Sequence, residues 1–210
     1  MTYDTAFRML TPIDEEAPRR AVRLRELGIG EEPDPEFDEF AAKIAAAAQA
    51  PCATVNIVGP GRQYFAGLYP SSAARGLDWR DDPFREMACD RGFCLHVVAR
   101  RRAMALPSVM DYPRFAVNPV VDEAGVRAYL GAPLIEPAGL ILGTICCVDT
   151  EPHPSWDRDA VEWIRGKAAE LTRRILQRGA GAPATSSLNR HAADPESPRR
   201  LSPLDPRGPA

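Results

Sequence analysis

The chain has 210 residues and a formal net charge of −3, with 45% hydrophobic and 26% charged residues. One globular domain with flanking segments accounts for this length, whereas two full domains would be cramped. The acidic balance excludes the basic face that a nucleic-acid backbone requires, so we expect no nucleic-acid partner.

The amino-terminal segment, residues 1–33, mixes charged residues with prolines. It predicts an extended, partly ordered lead with a short helical turn around Arg19 to Leu27. The segment lacks the charged-then-apolar pattern of a signal peptide. The longest nearly apolar stretch, Ala138 to Val148, falls far short of the ~18 residues of a membrane span. We therefore expect a cytoplasmic protein with no membrane partner.

A helix and a β-hairpin are predicted next. Asp34-Pro35-Glu36 is typical of a helix start, and the apolar residues that follow step by three and four, which predicts a helix to about Gln49. The β-branched alternation of Cys52 to Val58 predicts a strand. Gln63 to Leu68 returns after a Gly-Pro-Gly turn, so the two strands are predicted to form a hairpin.

The middle of the chain is less regular. Pro70 to Asp90 is polar and contains paired acids, which predicts a long loop with one turn of helix, and loops of this length are often functional. Phe93 to Arg101 predicts a short helix, and Ala103 to Leu106 a short strand. Asp111 to Pro119 has the residues of turns.

A second antiparallel hairpin is predicted from Val126 to Ile135 and Leu140 to Val148. The second of these strands is apolar on both faces, which indicates a central position in the sheet. Because side chains alternate along a strand, Tyr129 is expected on the face opposite Leu130. Cys146 and Cys147 are likewise expected on opposite faces, so they do not share one site.

A closing helix is predicted from Ser155, as its N-cap, through apolar positions that end near Ile175, and it should pack beside the first helix. Residues 179–210 are rich in proline and poor in core-forming residues, which predicts a disordered tail. The chain is thus predicted to consist of a lead (1–33), one domain (34–178) and this tail.

Four segments carry a resemblance to a known family. Gly92 to Val98 resembles the "SFCxHxI" segment of bacterial GAF domains, and Val109 to Val121 resembles their "VxD…RFxxNPxV" segment. Val126 to Leu134 is similar to "IRFYAGAPL", and Leu142 to Asp149 to "LGTLCVID". The resemblance covers about residues 36–178. It implies an α+β, GAF-like (profilin-like) antiparallel sheet of five to six strands, with the N- and C-terminal helices on one face and a ligand pocket on the other.

The resemblance also implies where a pocket lies. The candidate ligand-binding residues border the predicted loop, short helix and last two strands: Phe93, Cys94, His96, Asp111, Arg114, Asn118, Tyr129, Thr144 and Cys146.

Two groups of these residues have two interpretations each. Cys94 and His96 would hold a metal or haem, react with an oxidant or attach a tetrapyrrole, or else they are a buried thiol and a core histidine. In bilin-binding relatives the two residues are adjacent, whereas Leu95 separates them here. Asp111, Arg114 and Asn118 would orient a polar ligand or close the turn.

No phosphate loop, GxSxG elbow or HExxH helix occurs in the sequence, and no catalytic residue, metal ligand set or cofactor is identified. Free-methionine-sulfoxide reductases of the GAF fold carry a nucleophilic cysteine in the segment that corresponds to residues 111–121, which here has none. We therefore predict that the chain is not an enzyme.

We interpret the chain as a sensory module for a small ligand or a redox or gas signal. Its output would pass through a homodimer, with Trp163 and Leu176 at the interface, or through a separate signalling protein.

Two alternatives stay open. One is a thiol-based redox enzyme related to the free-methionine-sulfoxide reductases, with Cys89 or Cys94 as a lone redox thiol. The other is a ligand-free dimerisation or adaptor domain.

Overall fold

A computed structural model describes residues 3–4, 11–70 and 85–181 of the chain. The strands are β1 (Tyr3–Asp4), β2 (Thr11–Pro12), β3 (Cys52–Val58), β4 (Arg62–Pro70), β5 (Glu86–Ala88), β6 (Met104–Leu106), β7 (Ala128–Ile135) and β8 (Ile141–Asp149). The helices are α1 (Ala17–Glu26), α2 (Pro35–Ala48), α3 (Cys94–Arg100), α4 (Pro113–Ala116), α5 (Pro119–Glu123) and α6 (Arg158–Gly181), with a 3₁₀ turn at Val109–Asp111. Most of the predicted loop and most of the predicted tail lie outside the described residues.

The fold is built on a six-stranded sheet in the order β5-β4-β3-β8-β7-β6, and every neighbouring pair is antiparallel. Both predicted hairpins are confirmed, as β3–β4 and β7–β8. The strand β8 lies between β3 and β7 at the centre, as its two apolar faces predict. The α+β fold class is therefore confirmed.

Helices α2 and α6 pack side by side on one face of this sheet. Their apolar stripes bury Phe37 and Ile44 from α2, and Ile164 and Leu171 from α6, at 0–1% exposure. Residues spaced by three and four share one face of a helix, so one stripe from each helix is enough to cover the sheet. The sheet supplies alternate residues to this core, among them Ala128, Leu130, Ala132, Ile145 and Cys147.

Helix α2 approaches β4 so closely that Gly67 has no room for a side chain. A Cβ atom there would lie 2.4 Å from the Phe37 carbonyl oxygen. Beside it, the Asp38 carboxylate accepts hydrogen bonds from Leu68 N at 2.8 Å and from Arg85 Nη1 at 2.9 Å. The Trp156 indole donates to Ala48 O at 3.2 Å, which ties the residues before α6 to the end of α2.

Helix α1 inserts a guanidinium into the end of the sheet. Arg20 is fully buried, and it donates hydrogen bonds to the carbonyl oxygens of Ile141 and, at 3.0 Å, Val58. It also forms a two-pronged ion pair with the Asp14 carboxylate. The predicted lead thus contains a helix that satisfies backbone carbonyls of two central strands, β3 and β8.

Two local features differ from the sequence prediction. Glu86–Ala88, placed in the predicted loop, is a short edge strand paired with Arg62–Tyr64. Three residues are too few to show a strand's alternation. At the start of α6, the Asp157 carboxylate accepts from Asp159 N and Ala160 N, so Asp157 is the cap in place of Ser155, whose hydroxyl bonds the His153 ring. An acid and a hydroxyl two residues apart are both good N-caps, so the sequence left the choice open.

Among the described residues, every helix is too short or too polar to cross a membrane. Trp163 and Leu176 are half-buried and pack against the core between the sheet and the two long helices, so only part of each side chain faces outward.

Replacing Arg20 with methionine should lower the free energy of unfolding by about 3 kcal/mol, because it leaves the Asp14 carboxylate and two buried carbonyl groups without their hydrogen-bond donor. Urea denaturation of both proteins measures this difference. The matched control is Arg19→Met, at an exposed position of the same helix, which should change stability by less than about 0.5 kcal/mol. Equal effects of the two substitutions would contradict the role given to Arg20.

Candidate functional site

The face of the sheet opposite α2 and α6 is covered by a roof, which we define as residues 92–103 and 107–126, with α3, α4 and α5, on either side of strand β6. The roof and the sheet share a second apolar core. At its centre the ring of Phe93 meets those of Phe115 and Tyr129 edge to face, with centroids 5.6 and 5.3 Å apart. This geometry suits the charge distribution of aromatic rings and fixes the roof against β7.

Asn118 joins two segments of the roof. Its Oδ1 accepts hydrogen bonds from Gly92 N at 3.0 Å and Val120 N at 3.1 Å, and its Nδ2 donates to Gly92 O at 2.9 Å. The side chain is fully buried. Asn118 therefore caps α5 and holds the loop before α3, which carries the residues that enter the site.

A cavity of about 40 Å³ lies between the roof and the sheet. Its lining residues are Thr54, Gln63, Phe65, Met87, Gly92, Phe93, Cys94, Val120, Ala124, Val126, Tyr129, Cys146 and Val148. Met87, Gly92, Ala124 and Val148 are partly exposed and mark its mouth. Drug-sized ligands occupy pockets of roughly 300–1,000 Å³, so this cavity suits only a very small molecule.

Two thiols meet at the wall of the cavity. Cys94, the first residue of α3, places its Sγ 3.8 Å from the Sγ of Cys146 on β8. The Tyr129 hydroxyl lies 3.4 Å from the Cys94 sulfur, and the Thr54 hydroxyl lies 3.2 Å from the Cys146 sulfur. Each sulfur thus lies beside the other thiol and beside a hydroxyl group.

The hydroxyl of Tyr129 reaches Cys94 because residue 131 is a glycine. A Cβ atom on Gly131 would lie 2.2 Å from the Tyr129 hydroxyl oxygen, so the phenol lies along the strand over that position. Residues two apart on a strand share a face, and a side chain at 131 would displace the phenol. The Tyr-Leu-Gly sequence is therefore part of the site.

The surroundings of Cys94 favour its thiolate. The hydrogen bond with Cys146 does most to lower the pKa of Cys94, and Thr144, Tyr129 and Asn56 lower it further against the opposing effect of burial. The pKa of Cys146 is raised, first by its bond to Cys94 and then by burial.

The other thiols have raised pKa values. Burial raises the pKa of Cys52 to about 12 and that of Cys89 to about 11, and it also raises the pKa of Cys147. Cys147 faces α2, where its sulfur lies 3.8 Å from the Ile44 carbonyl oxygen. This confirms that Cys146 and Cys147 lie on opposite faces of the sheet.

Two buried polar atoms near Cys94 lack hydrogen bonds of standard geometry to any described residue: Asn56 Oδ1 and Thr144 Oγ1. Both residues lie on the roof side of the sheet, paired across β3 and β8. The Asn56 amide nitrogen donates to Gln63 Oε1 at 2.8 Å. This bond fixes the orientation of the Asn56 side chain and leaves its Oδ1 without a hydrogen bond. A buried unsatisfied group costs about 1–3 kcal/mol, so these two atoms lower the stability of the folded chain, although neither residue lines the cavity.

His96 lies on α3 outside the cavity lining. Its ring packs edge to face on Phe115, with centroids 5.0 Å apart, and its Nε2 has no hydrogen-bond partner among the described residues. Burial lowers the pKa of His96 to about 4, helped by the positive charges of Arg114 and Arg100. The imidazole is therefore neutral at physiological pH and is separate from the thiol pair.

The structure brings four of the nine predicted site residues to the cavity wall, namely Phe93, Cys94, Tyr129 and Cys146. Thr144 lies beside Cys94 behind that wall, whereas Asn118 and His96 hold the roof together. Asp111 and Arg114 are exposed, and the Arg114 guanidinium stacks 4.3 Å from the centre of the Phe115 ring. Across the described ranges, no three His, Cys, Asp or Glu side chains are grouped to hold a metal ion.

Sequence reasoning missed Thr54, Asn56 and Gln63 as site residues. The signal was present in Cys52–Val58, where two polar residues at alternate positions interrupt an otherwise apolar strand. Since alternate residues share a face, this pattern predicts a polar patch on one side of a buried strand.

Comparison with known proteins gives one family and several similar chains. The family model of the GAF domain matches residues 32–175. A cyclic di-GMP phosphodiesterase of Pseudomonas aeruginosa is 34% identical over 151 residues, which are 70% of this chain and 24% of that protein. The chain therefore spans about a quarter of the length of this relative.

Two solved structures are similar in fold. The GAF domain of an Acinetobacter phosphoenolpyruvate-protein phosphotransferase has a TM-score of 0.53 at 14% identity, and the match covers 80% of this chain and 98% of that one. A far-red cyanobacteriochrome photoreceptor has a TM-score of 0.54 at 10% identity, with coverage of 77% and 93%. At these identities the similarity shows the fold alone.

The prediction that the chain is not an enzyme was wrong. The relative with 34% identity is named a phosphodiesterase, so the sequence is related to part of a signalling enzyme. The match extends over 151 residues, and a search for short catalytic motifs does not detect a relationship of this kind.

The neutral His96 should make stability depend on pH. In the unfolded chain His96 takes up a proton near pH 6.5, whereas in the folded chain it does so only near pH 4, so stability is lost as the pH falls through this window. The loss should reach up to about 3 kcal/mol. Urea denaturation of the wild type and His96→Phe at several pH values measures it, since phenylalanine keeps the ring and removes the titration. A stability difference that stays constant between pH 7 and pH 4 would contradict the lowered pKa.

Proposed function

The chain belongs to the GAF domain family, and from this premise we propose that it is a regulatory module of cyclic di-GMP signalling. Its cavity binds a ligand of a few heavy atoms, and the occupied site alters the helices on the other face of the sheet. The link to cyclic di-GMP comes from the phosphodiesterase relative, part of whose length this chain matches.

The observation that carries this proposal is the cavity between the roof and the sheet. Cys94, Cys146 and Tyr129 present polar groups at its wall, and Thr54 and Gln63 add two more. A small apolar chamber with a few convergent polar groups is the usual form of a binding site.

The size of the cavity indicates that its ligand is not cyclic di-GMP itself. A cyclic dinucleotide is far larger than a space of about 40 Å³. The cavity ligand is therefore the controlling signal, and cyclic di-GMP is the compound whose turnover is controlled. Roughly three water-sized molecules fit in such a volume, which points to a gas, a peroxide or a small polar solute.

The route from the cavity to the helices runs through β8. Cys146 faces the cavity, whereas its neighbours Ile145 and Cys147 face α2 and α6. A close-packed strand cannot shift on one face without disturbing the other. A response that reaches α2 and α6 would pass to a second copy of the chain or to a separate signalling protein.

Narrowing the mouth of the cavity tests the proposal. Ala124→Phe should fill the entrance, so cells that express this variant should lose the shift in cyclic di-GMP level that the wild-type chain causes. Mass spectrometry of cell extracts measures the nucleotide. Ala124→Ser keeps the entrance open and is the matched control, and circular dichroism checks that each variant folds.

Two outcomes would contradict the proposal. An unchanged cyclic di-GMP level with the wild-type chain would remove the link to this nucleotide. A shift of equal size with all three proteins would show that the cavity is not the controlling site.

A further inference from the structure

Cys94 and Cys146 come from separate parts of the fold and meet at one wall of the cavity. Cys94 belongs to the roof and Cys146 to the central strand, and their sulfurs lie 3.8 Å apart. Both thiols line the cavity, whose mouth is formed by partly exposed residues. A small reagent that enters the cavity would therefore reach both sulfurs at once.

We propose that Cys94 and Cys146 are a redox pair that a small hydroperoxide oxidises to a disulfide, which crosslinks the roof to β8. The regulatory meaning of this bond rests on the function proposed above, but its formation does not. The cavity would then serve as the entry path of the oxidant.

In the first step Cys94 gives up its proton and its sulfur attacks one oxygen of the hydroperoxide. A sulfur–oxygen bond forms, the oxygen–oxygen bond breaks, and the departing oxygen takes up the proton to leave as water or an alcohol. Cys94 is now a sulfenic acid. The Tyr129 hydroxyl, 3.4 Å from the Cys94 sulfur, is placed to donate a hydrogen bond to the thiolate before it attacks.

In the second step the sulfur of Cys146 attacks the sulfur of the sulfenic acid. The disulfide bond forms, the sulfur–oxygen bond breaks, and the hydroxyl group leaves as water with the proton of Cys146. Two electrons and two protons thus pass from the two thiols to one hydroperoxide. The Thr54 hydroxyl, 3.2 Å from the Cys146 sulfur, can relay the proton.

The Tyr129 hydroxyl, which lies 3.4 Å from the Cys94 sulfur and can donate a hydrogen bond to its thiolate, assigns the attacking role to Cys94. The pKa of Cys94 is lowered, chiefly by the hydrogen bond with Cys146, and the thiolate is the reactive form of cysteine. The pKa values of Cys52, Cys89 and Cys147 are raised instead, mainly by burial. Oxidation should therefore select Cys94 among the thiols.

The disulfide would change the shape of the site. The two sulfurs must move from 3.8 Å to a bonded distance of about 2.0 Å. This movement draws the start of α3 towards β8 and closes the cavity from one side. Oxidation would then shift β8, as the proposed function expects a bound ligand to do.

Peptide mapping of the full chain tests the pair without any substitution. After treatment with hydrogen peroxide and blocking of free thiols, digestion without reductant should release one peptide in which Cys94 is linked to Cys146. Alkylation of both cysteines should be lost and should return after reduction with dithiothreitol. A chain that stays folded and gives no such peptide, or that links Cys94 to another cysteine or another molecule, would overturn the proposal.

Three variants separate the roles of the two thiols. Cys146→Ser should leave Cys94 as a sulfenic acid that a dimedone probe labels, and Cys94→Ser should leave Cys146 reduced. Cys89→Ser, at a half-exposed thiol outside the cavity lining, should form the disulfide as the wild type does. Labelling of Cys146 in the Cys94→Ser variant would contradict the assigned order.

The two proposals fail in different ways. A mapped disulfide together with an unchanged cyclic di-GMP level would keep the redox pair and reject the regulatory function. A cyclic di-GMP response that persists in Cys146→Ser, with no disulfide in the wild type, would keep the function and reject the redox pair.

Discussion

The burial of β8 on both faces is the constraint on which the rest of the structure depends. The strand lies between β3 and β7, so its backbone is held by two ladders of hydrogen bonds. Its side chains alternate between the helix side and the roof side, and nearly all of them are fully buried. Ile145 and Cys147 therefore belong to one core and Cys146 to the other. No residue of the strand can move without a response on at least one side.

The sensor function proposed here requires only a small cavity. A large ligand would need an open pocket, whereas a gas or a peroxide needs only a path to a reactive or polar group. The wall of the cavity supplies such groups in Cys94, Cys146 and Tyr129. Gly131 leaves space for the phenol, and Asn118 fixes the loop that leads into α3. Gly131 and Asn118 thus position the residues of the cavity wall without lining the cavity themselves.

Most of the fold follows from periodicity. Apolar steps of three and four specified α2 and α6, and the alternation of strands specified which residues of β7 and β8 face the helices. Arg20 gave no such signal, because α1 is rich in arginine and its sequence resembles that of a solvated helix. The role of this residue appears only when the strand ends at Val58 and Ile141 are brought together. The edge strand at Glu86–Ala88 is too short to show a pattern.

The candidate site was less accessible to sequence reasoning. The motif around Cys94 pointed to a part of the roof that lines the cavity, but it paired this thiol with His96, which faces Phe115 instead. The partner that the structure gives to Cys94 lies 52 residues away on the central strand. Only the alternation of Cys146 and Cys147 indicated which of the two adjacent thiols faces the roof. Contacts between distant elements depend on how the roof folds over the sheet, and local patterns do not contain that information.

In the mechanism proposed here, β8 transmits a change at the thiol pair to the helices behind it. Hydrogen–deuterium exchange of the peroxide-treated and the dithiothreitol-reduced chain tests it most directly. Oxidation should alter the protection of β8, α2 and α6 in the wild type, and it should leave the protection of the two helices unchanged in Cys146→Ser. Changes confined to the roof in the oxidised wild type would contradict it.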